Sequence, residues 1–454
     1  MTTAADAIVP PAPKVHARDL PALRLIVQFA RNTVSTMPNY AFDVMISHRR
    51  VLGLDTWLVN DPDGVRHILG SNVSNYRKLV ALYRVFQPLA GQGVFLAEGD
   101  EWRRQRRMLA PLFTPASIGL LLPHFFEAAN ALVRRVERSA TANLSEAFQE
   151  ATLEAVLRAL FSLPDNEQRG RLAAMVRGYL DGPGRPNILD GFARTETSFA
   201  FATWKRRQSQ AAWHAAVDAL VAARRASPRT AEHGDLLDLL ISARDPETGD
   251  ALSDTEIRDQ SATMLVAGHE TTARLLFWAT YLLTLGPAEQ ARLRTEIAEF
   301  PPERVGTLDD LQHWPRLRQT LYEALRLYPP APHVNREAIA DDTVLGERVE
   351  AGAQVWISPW VIHRHRKFWD QPTAFMPDRF AGKASPWTSG TFIPFGAGPR
   401  ICIGATFAIA EAQIIMAILL SRFSIALDDP RPVLPVGTAL LAPSHEPQFK
   451  IERV

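Results

Sequence analysis

The residues of this chain whose types and spacing could do chemistry fall in a few short segments. The single cysteine, Cys402, stands in Phe395-Gly396-Ala397-Gly398-Pro399-Arg400-Ile401-Cys402-Ile403-Gly404, just ahead of a long apolar run. A lone thiol makes no intramolecular disulfide, and structural zinc sites use several Cys or His at close spacing, so neither role fits. Two roles remain: a small buried hydrophobe, as free cysteines often are, or a thiolate serving as a soft ligand for a metal such as iron. Gly396 and Gly398 permit turns closed to other residues, and a helix beginning at this point would lower the thiol pKa through its unpaired N–H groups. The segment therefore reads as a cradle that aims a thiolate.

The second segment is Ala267-Gly268-His269-Glu270-Thr271-Thr272. Here helix propensity is poor, because Gly268 costs roughly 1 kcal/mol relative to Ala and the threonines can bond back to carbonyls one turn earlier. A kink that only serves packing would explain this, but an acid next to an alcohol also suits proton handling. In the third, Pro315 to Pro330, Glu323 and Arg326 stand at i, i+3 and share a helix face. Most such pairs are solvated, whereas with Arg379 of Phe375–Phe380 they could form a buried charge triad. The fourth, Glu101-Trp102-Arg103-Arg104-Gln105-Arg106-Arg107, packs four arginines into five residues.

Helices must carry most of this. Ser253-x-x-Glu256 has the form of a capping box and Gly286-Pro287 is a stop, which predicts a helix of roughly 32 residues, about 48 Å, with Gly268 to Thr272 at its middle. Pro315 opens and Pro329-Pro330 closes another, with Leu317, Leu321 and Leu325 as its apolar stripe. Strand patterns are confined to 51–62, 344–358 and 433–454, with Asp61-Pro62 read as a helix cap and first helical residue. The expectation is a mainly α unit with small β-sheets over residues 21–454, after a flexible Pro/Ala-rich segment at 1–20. A hydrophobic content of 46% and a net charge of +1 suit a globular protein with a large core and speak against nucleic-acid binding. No signal peptide or membrane anchor is read in the sequence, since the window at Leu275–Leu285 is short and flanked by Arg274 and Glu270.

Together these segments resemble the cytochrome P450 family. Phe395 to Gly404 matches every fixed position of Phe-Gly-x-Gly-x-Arg-x-Cys-x-Gly, the family's haem-ligand signature. Ala267–Thr272 is similar to the oxygen-activating stretch of its central helix, and Glu323, Arg326 and Arg379 to its Glu-Arg-Arg triad. Trp102 and Arg106 match its Trp-x-x-x-Arg, and Arg336, eight residues after Tyr328, takes the place of a propionate-pairing arginine. The likeness runs from about Leu52 to Val454. It departs at Asp378, where the family prefers Glu, and at "IHRHRKFW", which replaces a commoner His-Arg-Asp; no role is carried to Asp378 or His365.

The resemblance implies the cytochrome P450 fold of a soluble bacterial-type member, with haem b between the central helix and the Cys402 loop. Cys402 would be the axial iron ligand, and Trp102, Arg106, Arg336, Arg400, Phe395 and Gly396 would hold the cofactor. Thr271 and Glu270 would deliver protons, so that one atom of O₂ enters a substrate. Leu79–Phe95, Pro183–Phe192, Ala331–Val334 and Thr438–Leu441 would line the pocket, with Val266, Ala267, Val334 and Leu440 facing a hydrophobic small molecule. The 52 residues after Cys402 suffice for a last helix and sheet, so electrons are expected from a separate ferredoxin or flavodoxin with its reductase. An acidic donor would dock on Arg103 and Arg107, turned outward if Trp102 and Arg106 turn inward. A cytoplasmic location fits. A haem-thiolate isomerase, a peroxygenase and a non-catalytic haem binder are the alternatives.

Overall fold

The structure, a computed structural model, describes residues 8–51, 53–163, 167–180, 182–184, 201–227, 235–382 and 386–454. The helices that position the site are α1 (Gly99–Leu109), α2 (Leu122–Val136), α3 (Leu144–Phe161), α4 (Asp254–Leu285), α5 (Pro315–Leu327) and α6 (Ala405–Arg422). The 32 residues of α4 span the limits its caps predict. At its start Ser253 Oγ accepts the Glu256 N–H at 3.3 Å, while the Glu256 carboxylate accepts the Ser253 N–H at 2.8 Å. At its end Gly286 breaks the helix, and the next begins at Pro287. α4 packs against α3, α5 and α6, which explains why its sequence lacks a polar stripe.

Aromatic contacts fix the bundle from inside. Trp278 of α4 stacks on Tyr328 with ring centroids 4.1 Å apart, and Phe125 of α2 meets Phe407 of α6 edge-on at 4.7 Å. By length and composition α6 could cross a membrane, yet most of it is buried within the protein.

The main sheet holds β1 (Ile46–Val51), β2 (Leu54–Val59), β3 (Tyr76–Arg77), β4 (Val334–Ala338) and β5 (Gln354–Ile357) in the order β1-β2-β5-β4-β3. Only β2 and β5 pair in parallel. Val59, Val65, Ile68, Leu69, Val355 and Ile357 form a second core beneath it. Asp61 caps the short helix that starts at Pro62, as its sequence indicates. The strand pattern at 433–454 resolves into a hairpin, Pro435–Gly437 with Leu441–Pro443, and the middle strand of a three-stranded sheet, Phe449–Arg453, paired with Phe423–Leu427 on one side and Thr141–Ala142 on the other.

One expectation is corrected at the N-terminus. From Ile8 onward the segment read as flexible lies along the body: the Phe375 N–H donates to Ile8 O at 2.8 Å, Asn39 to His16 O at 2.7 Å, and the Tyr328 hydroxyl to Pro11 O at 3.1 Å. Proline-rich chain has little conformational entropy to lose, so a few such bonds suffice to hold it.

Candidate active site

Around Cys402 the chain turns tightly. Gly396 and Gly398 have φ of +76° and +69°, the left-handed region their sequence positions suggested. At Gly398 close approach adds a second constraint, because a Cβ would lie 1.9 Å from Leu69 O. The Cys402 N–H donates to Phe395 O at 2.9 Å, and the Phe395 ring meets Trp387 edge-on at 5.7 Å. α6 starts at Ala405, three residues past the cysteine. Cys402 is exposed at its surface. It nevertheless lies deep enough for burial to push the thiol pKa up, against the Gly404 N–H and the Arg106 guanidinium, which pull it down. The expected helix-terminus lowering is therefore outweighed in the free thiol, and metal ligation is what would deprotonate it.

A cluster of cations and donors surrounds this loop. Arg336, on β4, is half-buried, and burial together with nearby Arg400 lowers its pKa to about 10. Its side chain donates only to Asn335 O, at 2.9 Å, and no carboxylate pairs with it among the described residues. Arg106 of α1 likewise has no ion-pair partner among the described residues; burial lowers its pKa, and Cys402 is the group that opposes this. Arg400 lies 4.7 Å from the centroid of the buried Trp102 ring and pairs with Glu98, while its Nε has no partner. Lys78 and Glu98, which the sequence reading missed, complete the cluster. Lys78 Nζ donates to Ala97 O at 2.8 Å and to Glu98 at 3.2 Å, and burial pulls its pKa down to about 8. Burial opposes ionisation of Glu98, but Lys78 and Arg400 prevail and hold its carboxyl below the usual range.

At the middle of α4, Ala267 is the one exposed residue between Ile257 and Leu285, and Gly268, Glu270 and Thr271 beside it are half-buried, so the helix is open at this turn. Thr271, one turn on, donates to Ala267 O at 2.7 Å, and Thr272 to Gly268 O at 3.1 Å. These back-bonds are those expected of threonines in a weakened turn. Glu270 is held by Arg274 at 2.8 Å, a partner that the i, i+4 rule could have named. Val266 is buried beside this opening. His269 is buried as well, and burial lowers its pKa to about 4.

The charge triad forms in the core. Glu323 and Arg326 are both fully buried (0%) and make two bonds of 2.7 Å, and Arg326 also donates to His363 O, Pro372 O and Ala374 O. Arg379 approaches Glu323 at 3.4 Å without hydrogen-bond geometry and donates to Gln371 O instead. Asp378 pairs with Arg316 at 2.8 Å, outside the triad.

The sequence matches the Cytochrome P450 family profile over residues 44–451. The chain belongs to the cytochrome P450 family. It is 32% identical over 408 residues to Cytochrome P450 4A10 of Mus musculus, covering 84% of this chain and 78% of that protein. It is 28% identical over 417 residues to Taurochenodeoxycholic 6 alpha-hydroxylase of Sus scrofa, covering 87% and 82%. Its fold superposes on the crystal structure of a cytochrome P450 (CYP102L1) with a TM-score of 0.80 at 25% identity, covering 98% of this chain and all of that one.

As a cytochrome P450 it is a monooxygenase with haem b as cofactor. The residues present fit that group. An exposed thiol beside Arg106 could ligate iron, and the guanidinium groups of Arg106 and Arg336, neither of them in an ion pair among the described residues, suit two propionates together with the Trp102 indole. Among the described residues no cluster of three His, Cys, Asp or Glu offers a metal site of another kind.

Two of the expected pocket segments touch α4, at different levels along it. Gln92 N–H donates to Asp259 and Val94 N–H to Gln260, buttoning residues 79–95 to α4. Leu441 N–H donates to Pro330 O, and Trp278 donates to Leu441 O, which brings the half-buried Leu440 and Val334 to the same end of α4. Residues 185–192 of the segment Pro183–Phe192 lie outside the described residues.

The arginine run is corrected. Arg107 is bound to the buried Asp245 at 2.7 Å and to Glu247 at 2.9 Å, and Arg104 to Glu101 and Glu256, so neither is a free docking charge. Arg103 is exposed and, among the described residues, pairs only with Asp100.

Proposed function

We propose that this cytochrome P450 inserts one atom of O₂ into a hydrophobic small molecule, taking its electrons from a separate protein. The observation that carries the site assignment is the open Cys402 thiol held by backbone bonds next to guanidinium groups that lack carboxylates. Bound haem supplies the iron at which O₂ is activated. Cys402 contributes the thiolate ligand, whose electron donation favours O–O cleavage. Trp102, Arg106, Arg336 and Arg400 would hold the propionates, and Phe395 and Gly396 would shape the loop that carries Cys402. On α4, Thr271 offers a hydroxyl at the opening marked by Ala267, and Glu270, steadied by Arg274, is the carboxyl that recharges it from water. Val266, Ala267, Val334 and Leu440 supply apolar walls, and such a lining favours a terpenoid, fatty acid or aromatic compound over a polar one. The name of the pig relative, an alpha-hydroxylase, agrees with oxygen insertion.

The electron donor is a ferredoxin or flavodoxin with its reductase, and the protein is a soluble, cytoplasmic one of bacterial type. An isomerase or peroxygenase would keep Cys402 but have no use for a Glu270–Thr271 relay, and a haem binder would need no donor. The test is a screen of hydrophobic compounds for a haem spin-state change, followed by turnover of the hits with NAD(P)H, a ferredoxin couple and O₂. Oxygenated product that depends on all three supports the monooxygenase. Turnover without NAD(P)H would favour an isomerase or peroxygenase, and no turnover of any hit would favour the binder.

A further inference from the structure

Glu411 lies on α6, nine residues after Cys402, and no role above uses it. It is fully buried, and neither carboxyl oxygen has a hydrogen-bond partner. Burial pushes its pKa well above the carboxylate range, and the influence opposing that is the Thr272 hydroxyl of α4, with no charged group beside it. An uncompensated carboxylate is strongly disfavoured in such a place, so Glu411 is the neutral acid with one O–H to donate. Thr272 offers the complementary acceptor. Its own proton goes to Gly268 O at 3.1 Å, which leaves lone pairs on Oγ. The Thr272 side chain is the polar group placed against the Glu411 carboxyl, whose two oxygens have no hydrogen-bond partner among the described residues.

We infer that Glu411 is a positioning residue that, as a neutral acid, donates to Thr272 Oγ and pins the Gly268–Thr272 turn of α4 to the helix that follows Cys402. The turn it holds is the weakest of α4 by propensity, and it carries Thr271. Its consequence for turnover rests on the role proposed for Thr271, whereas its protonation can be read without turnover.

Infrared spectra of the haem-loaded protein should show a carboxylic-acid C=O band that persists at neutral and alkaline pH. Glu411→Gln should abolish that band, and Thr272→Val should shift it to higher frequency as the hydrogen bond is lost. In turnover, Glu411→Gln retains a donor and should keep the wild-type ratio of product to peroxide, while Glu411→Leu should lower it several-fold with substrate affinity unchanged. An acid band untouched by Glu411→Gln, or one unmoved by Thr272→Val, would overturn the inference whether or not Glu411→Leu folds. Equal coupling in Glu411→Leu and wild type would overturn the positioning role, as would a Glu411→Gln variant as uncoupled as Glu411→Leu.

Discussion

Arg336 is a half-buried guanidinium that Glu98 influences without pairing with it, a situation that a bound anion would improve. If that anion is a propionate, Arg336→Ala removes a charge-assisted bond of about 1.5–3 kcal/mol and should speed haem loss about 10- to 100-fold. Transfer of haem to a scavenging protein measures this, and Arg103→Ala, at an exposed pair, should leave the rate unchanged. Thr271→Ala should still bind substrate and accept electrons, because neither step needs the hydroxyl. Product formed per NAD(P)H should fall, by up to the roughly 10²-fold that positioned proton transfer contributes, with peroxide rising in its place. Wild-type coupling would return Thr271 to a packing role. Residue types and spacing singled out Cys402 and Thr271 in the sequence, and the family resemblance added Arg336. Lys78 and Glu98 escaped because each matters only through partners that the fold brings from other segments.

Helix α4 and the triad show how elements hold those residues. Arg326 is saturated by Glu323 and three carbonyls from the 363–374 segment, so that one side chain ties α5 to the chain approaching the cysteine loop. Glu323→Ala would strand it and should cost about 3–5 kcal/mol, seen as loss of haem-loaded protein and a lower denaturation midpoint. Normal stability would contradict the triad's structural role. In α4, His269 has its pKa lowered by burial to about 4, against 6.5 when unfolded. Below pH 6.5 the unfolded chain takes up a proton that the folded one refuses, so stability present above 6.5 is lost as pH falls toward 4, by up to about 3 kcal/mol. His269→Leu should flatten unfolding free energy over that window, and an unchanged slope would contradict the neutral, buried histidine. The limits of α4 were legible because caps and stops are local chemistry. The docking of residues 8–20 was not, since their partners, Phe375 and Tyr328, lie hundreds of residues away and leave no periodic mark.

Over the whole molecule, the mainly α body with small sheets follows from long apolar helical patterns, whereas the three strand stretches read in the sequence missed Ile46–Val51, Tyr76–Arg77, Val334–Ala338 and Phe423–Leu427, short strands of which Tyr76–Arg77 finds its partner, Val334–Ala338, far along the chain. Charge placement was harder to read. The run at Arg103–Arg107 looked like a docking face, yet Arg107 belongs to the fold through Asp245, because a buried carboxylate must find a cation wherever the chain supplies one. Arg107→Glu should therefore lower the melting temperature, while Arg103→Glu should leave it in place and only slow reduction by an acidic donor at low salt. The reverse pattern would restore the sequence-based view. All of this rests on Cys402 being the thiolate ligand. The most direct test is the spectrum of the reduced carbon monoxide complex of wild type and Cys402→Ser. Wild type should show the strongly red-shifted Soret band of a thiolate-ligated haem and the variant should lack it, since the chain has no other cysteine to substitute; an unchanged band in haem-loaded Cys402→Ser would contradict the account.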